Sequence, residues 1–98
     1  MSGKKLLSVD FEVFGVVQGV FFRKYTEKQS KLLGVKGWCM NTRHGTVKGT
    51  IQGEESAVQN MKQWLHSTGS PSSRIDKCKF SNEEEITSLS YKDFAIRR

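Results

Sequence analysis

Between residues 8 and 14 (SVDFEVF) every second position is apolar: Val9, Phe11 and Val13 fall on one side of an extended chain, Asp10 and Glu12 on the other. That alternation predicts a half-buried strand. The period then changes. Over residues 21–34 (FFRKYTEKQSKLLG), Phe22, Tyr25, Gln29, Leu32 and Leu33 recur near helical spacing, and Gly34 stands where a helix commonly ends. Lys24, Lys28 and Lys31 share a face of that helix expected to be solvated. Residues 35–41 (VKGWCMN) and 46–53 (TVKGTIQG) read as a second and a third strand, with Asn41 and Gly45 at the turn of a hairpin. Residues 54–69 predict a second helix with Val58, Met61 and Leu65 on its core stripe. Glu54 and Glu55 stand at its N-terminal end, where negative charge is favourable. GSPSS breaks the chain, residues 74–80 begin a fourth strand that runs on to about Glu84, and residues 91–98 offer a short last strand through Phe94 and Ile96.

The order β-α-β-β-α-β plus a terminal strand is that of an α+β, ferredoxin-like split β-α-β sandwich, two helices on one face of a mixed, mainly antiparallel sheet. The 98 residues suffice for one core, expected over residues 7–98 behind a flexible tail of residues 1–6. Strands one and two are joined by a helix, so they run parallel with a right-handed crossover and their C-terminal ends share one edge. With the third strand between them, those ends stand roughly 10 Å apart, about the width of a phosphoryl group with a water beside it. A last strand parallel to strand two would bring the chain's end to the same edge, where the Arg98 carboxylate could orient Arg23. Trimming the last two residues should then weaken phosphate affinity.

A formal charge of +6 favours anionic partners without choosing among phosphometabolite, nucleic acid and acidic membrane. Cys39 and Cys78 have no CxxC spacing and no nearby histidine, so a zinc site is not expected and the thiols are read as reduced. The start MSGKKLLSV has no signal-peptide apolar run and no glycine directly after Met1, and no segment approaches ~18 continuous apolar residues. A cytoplasmic protein is expected, and size together with the lack of an oligomer seam points to a monomer.

Against this background GVVQGVFFR, residues 15–23, stands out. Glycine serves where φ is positive or backbone must approach a ligand, and arginine near a helix start clamps a doubly charged oxyanion. By itself the stretch fits a phosphate cradle and equally a strand–turn–helix corner. The predicted topology brings Gly15–Val20, Arg23 and Asn41 to one edge, where loop N–H groups, a helix N-terminus and a guanidinium would act on the same anion. Other phosphate motifs fail. Gly15 and Gly19 have three residues between them and Val20-Phe21 follows, unlike a Walker loop; a C-x5-R loop from Cys39 would need arginine where Gly45 stands; no paired aspartates suggest a magnesium site.

The stretch resembles the first signature of the acylphosphatases, G-x-V-Q-G-V-x-F-R, at every fixed position. GWCMNTRHGTVKGTIQG (residues 37–53) resembles their second, G-W-x-x-N-x3-G-x-V-x5-G, through Gly37, Trp38, Asn41, Gly45, Val47 and Gly53. The likeness extends through GSPSSRID and FSNEE and covers about residues 7–98. It implies hydrolysis of a carboxyl–phosphate anhydride to carboxylate and inorganic phosphate, with no metal and no organic cofactor. It further implies a phosphate site formed by Gly15, Val16, Val17, Gln18, Gly19 and Val20 with Arg23, and a water held by Asn41. The partners it implies are small acyl phosphates, with inorganic phosphate as product and competitive inhibitor.

Plainer readings stand beside these. Arg23 alone would be a solvated helix residue and Asn41 a turn asparagine; only the two signatures together outweigh that. Trp38 and Trp64 read as packing, Phe21 and Phe22 as core or pocket wall, and His66 as an exposed helix-end cation. His44 lies near Asn41 and invites a general-base role, but falls at a variable position of the second signature. The competing function is an RNA-binding ferredoxin-like module, which needs stacking aromatics on the open sheet face. That face of the first and third strands carries Asp10, Glu12, Thr46, Lys48, Thr50 and Gln52 instead, and carboxylates repel a phosphate backbone. No nucleic-acid partner and no membrane span are therefore expected.

Overall fold

A computed structural model describes residues 5–19 and 21–97. Five strands, β1 (Leu6–Val16), β2 (Lys36–Asn41), β3 (Val47–Glu54), β4 (Arg74–Ile86) and β5 (Phe94–Arg97), form one sheet in the order β4-β1-β3-β2-β5. Helix α1 (Phe22–Leu33) joins β1 to β2, and α2 (Glu55–Gln63), prolonged by a π-helical turn over Trp64–Thr68, joins β3 to β4. All pairings are antiparallel except β2 with β5. This is the expected α+β ferredoxin-like sandwich. Lys5 and Leu6, expected in a flexible tail, are held: Leu6 pairs with Glu54 and Ile86, and the Glu55 N–H donates to the Lys5 carbonyl at 2.9 Å. The first four residues lie outside the described part.

The alternating residues of β1 do what their pattern requires. Val9 and Val13 are fully buried beneath the helices beside Val47, Ile51, Val58, Met61 and Leu65, each side chain contributing about 1.5–3 kcal/mol by leaving water. Gly34 closes α1 in the left-handed region (φ +76), its N–H and that of Val35 donating to the Lys31 and Ser30 carbonyls.

The buried stripe of α1 differs from the apolar spacing. It runs Phe22, Thr26, Ser30, while Tyr25 is 39% and Leu32 72% exposed. Once Phe22 is seated in the core, steps of four bring small hydroxyl residues against the sheet. Their polar atoms are satisfied locally, Thr26 Oγ1 donating to the Phe22 carbonyl at 2.7 Å and Ser30 Oγ to Met61 Sδ at 3.7 Å.

The connection from β4 to β5 must pass from one edge of the sheet to the other. On its way the Ser90 N–H donates to Gln52 Oε1 at 2.8 Å, and Asp93 accepts from the Gly37 N–H. The open face is thus less open than its polar sequence suggests: Thr46, Thr50 and Gln52 are all buried. Thr50 donates to Asp10 and Gln52 to Ser8, so polar side chains there are spent on one another.

Candidate active site

β1 and β2 reach the same level of the sheet, because Val13 and Asn41 both lie opposite Val47. Beyond that level β1 continues on β4 alone, with Gly15 opposite Ile75 and Val16 opposite Arg74. Gly15 and Val16, expected in the loop, are therefore strand residues. Gly15 lies beside a register shift at φ +134, where a Cβ would stand 2.0 Å from the Arg74 carbonyl oxygen. Its glycine is required by close approach to β4. The loop proper starts at Val17, and Val20 lies outside the described residues.

Phe21 ends that loop in the left-handed region (φ 60, ψ 24), and no side chain caps α1 behind it. The first helical bond runs from the Tyr25 N–H to the Phe21 carbonyl, so the amides of Phe22, Arg23 and Lys24 have no partner within the helix. These three residues, with Val17 and Gly19, line a cavity of about 370 Å³. An uncapped helix start of this kind carries positive potential as well as donors.

Asn41 and Ile96 close the cavity on the sheet side. Asn41 falls on the same face of β2 as the buried Cys39, beneath the start of α1. Its Oδ1 is buried and has no hydrogen-bond partner among the described residues. A buried carboxamide oxygen without a partner is uncommon, and one that lines a cavity is satisfied by whatever occupies it. Arg23 is half-buried, and no described carboxylate pairs with it. Glu27, which also lines the cavity, is turned to Lys31 at 3.6 Å. The nearby Cys39 is fully buried and does not line the cavity, and burial pushes its thiol up to about 12 against the opposing pull of the Arg23 charge.

A family model of acylphosphatases matches residues 9–96. The chain belongs to the acylphosphatase family. It is 59% identical to an acylphosphatase-2 of Xenopus tropicalis over 93 residues, covering 95% of this chain and 90% of that protein. To an acylphosphatase-2 of Homo sapiens it is 55% identical, covering 98% and 97%. The fold superimposes on a solved acylphosphatase from Coxiella burnetii with a TM-score of 0.84 at 32% identity, covering 99% of this chain and all of that one. Acylphosphatases are hydrolases of acid anhydrides, and the chain is such an enzyme.

Within this acylphosphatase the residues of the two signatures divide into separate tasks. Val17, Gly19, Arg23 and Asn41 reach the cavity; Gly15, Val16 and Gln18 do not line it. Gln18 turns to the β2–β3 connection, where its Nε2 donates to the carbonyls of Thr42 at 2.7 Å and Thr46 at 2.9 Å. The Thr42 and Thr46 hydroxyls bond each other, and Thr46 Oγ1 donates onward to Glu12 Oε2 at 2.6 Å. The loop is thereby tied to the strand end that carries Asn41. Thr42, Thr46 and Glu12 were not singled out by sequence, since threonine in a hairpin has an ordinary explanation. A spacing that returns Gln18, Thr42 and Thr46 to one corner was the available signal.

His44 is exposed and lies outside the cavity. On the open face Phe14 and Trp38 do present rings, but Lys77 and Lys79 lie over Phe14 at 4.8 and 5.7 Å and Arg97 over Trp38 at 4.3 Å. Covered rings beside two carboxylates give bases no stacking platform. β5 runs parallel to β2 with Arg97 opposite Met40, and Ile96 lines the cavity; Arg98, whose carboxylate was expected to orient Arg23, lies outside the described residues. No described helix is long and apolar enough to cross a membrane.

Proposed function

We propose that this acylphosphatase holds its substrate's phosphoryl group at the open start of α1 and directs water at it from β2. The single observation that supports this most is the buried Oδ1 of Asn41, without a partner among the described residues, lining the same cavity as Arg23 and a helix start that no described side chain caps. The Arg23 guanidinium and the amides at the helix start bind the phosphoryl oxygens and stabilise charge in the transition state. Gly19 keeps the loop wall bare at φ +74. Asn41 Oδ1 accepts a hydrogen bond from the attacking water and holds it in line.

The water oxygen forms a bond to phosphorus as the bond from phosphorus to the acyl oxygen breaks. The acyl oxygen leaves with the electron pair as a carboxylate, and the water's proton passes to a phosphoryl oxygen. An amide is no base near neutral pH, and a carboxylate leaving group needs no strong acid. The reading therefore requires neither metal nor organic cofactor, and takes inorganic phosphate as both product and competitive inhibitor. The two free thiols fit a reducing, cytoplasmic setting, and the reading takes the working unit as a monomer.

Asn41→Ala should lower kcat about 100-fold or more while the inhibition constant for phosphate moves less than about threefold. Arg23→Gln should weaken phosphate binding about 10- to 100-fold, the range for a hydrogen bond to a charged group, and lower turnover with it. Phosphate release from a simple aryl acyl phosphate measures both. Normal hydrolysis by either purified variant overturns the reading.

A further inference from the structure

We propose that the outer surface formed by Phe21 at the end of the loop and by Lys24, Tyr25 and Lys28 on α1 is the subsite for the substrate's acyl group, suited to an aromatic acyl group with a carboxylate at its far end. The inference rests on the phosphoryl position argued above. In an in-line displacement the leaving oxygen points away from the attacking one. Water held by Asn41 approaches from β2, so the acyl group departs away from the sheet, across the mouth of the cavity. There the cavity continues into a second hollow of about 290 Å³ lined by these four residues, with Phe21 and Lys24 common to both.

Lys28 lies three and four residues beyond Tyr25 and Lys24, so these three share one side of the helix, and Phe21 directly precedes it. Phe21 is 72% exposed and held left-handed, a conformation unfavourable for a residue with a Cβ. Tyr25 stands next to it, 39% exposed. The two rings form an apolar wall that a flat acyl group would cover. The cations on this surface are also unspent. Lys31, Lys62 and Arg74 each face a carboxylate, whereas neither Lys24 nor Lys28 has an ion-pair partner among the described residues. Lys28 lies one turn beyond Lys24 and farther from the cavity, where it would meet a charge at the distal end of the acyl group rather than the phosphoryl.

Steady-state kinetics of the full chain on acetyl, benzoyl and 4-carboxybenzoyl phosphate test this. Tyr25→Ala should cut the benzoyl-to-acetyl ratio of kcat/KM about fivefold, the value of one aromatic contact. Lys28→Glu should cut the carboxybenzoyl-to-benzoyl ratio about threefold, through KM, with the difference shrinking in added salt. Ratios equal to those of the unaltered chain, with all three substrates still hydrolysed and inhibited by phosphate, overturn the subsite and leave the catalytic reading standing. Hydrolysis that survives Asn41→Ala and Arg23→Gln overturns both.

Discussion

Gln18 shows how a residue can serve a site without facing it. Its amide gives a second donor to two carbonyls of the β2–β3 connection that also accept backbone N–H groups, and so ties the loop before α1 to the end of β2. Replacing it with leucine keeps the volume but strips both carbonyls of a donor. Gln18→Leu should lose about 1–3 kcal/mol of stability, read from urea unfolding, and kcat should fall more than phosphate affinity, because water placement depends on Asn41. Affinity and kcat falling together would instead make Gln18 part of the phosphate cradle. The sequence placed Gln18 among the phosphate-binding residues as part of a loop of backbone N–H groups; its side chain serves the turn instead of lining the cavity. Gly15 has a structural duty the sequence did not reveal, close approach to β4: a glycine for approach to a strand and a glycine for approach to a ligand are the same letter.

At the scale of the element, α1 carries two faces with different duties, and its apolar letters do not mark them. Phe22, Thr26 and Ser30 are its inner line, while Leu32 is 72% exposed. Leu32→Lys should therefore change stability by less than about 0.5 kcal/mol in thermal or urea unfolding. A loss of 2 kcal/mol or more, the usual result of emptying a core position, would place Leu32 inside. Existence and limits of α1 were legible from its period and from Gly34. Its rotation was not, because hydroxyls that bond within the helix bury at little expense and compete with leucine for the inner line. The second helix lacked that ambiguity, and Val58, Met61 and Leu65 are all buried as their spacing indicates.

For the molecule as a whole, the packing of Cys39 and Cys78 links stability to alkaline pH. Burial raises both thiols from 9.0 to about 12. The unfolded chain then ionises them from about pH 9, while the folded chain keeps the protons until about 12. Between those limits the unfolded state binds fewer protons, so stability falls as pH rises, and below pH 9 these groups add no slope. Cys39, the more deeply buried, should contribute about 1 kcal/mol per pH unit in that window. Urea midpoints measured from pH 8 to pH 11 should decline, and Cys39→Ala should remove part of the decline. An identical slope in that variant would show that other groups carry it.

Strand alternation, helix period and the βαββαβ order are local, or follow from the few ways such elements can connect, and these the 98 letters determined unaided. The meeting of Arg23 with Asn41 was readable too, since a parallel pair of strands must end at one edge. Only the tertiary structure decided that Gly15 and Val16 stay in the strand, that Gln18 grips the turn, that Asn41 Oδ1 lies buried without a partner among the described residues, and that Phe21 and Tyr25 stand outside. Each of these depends on which side a group faces and what already satisfies it, quantities set by packing between residues far apart in the chain.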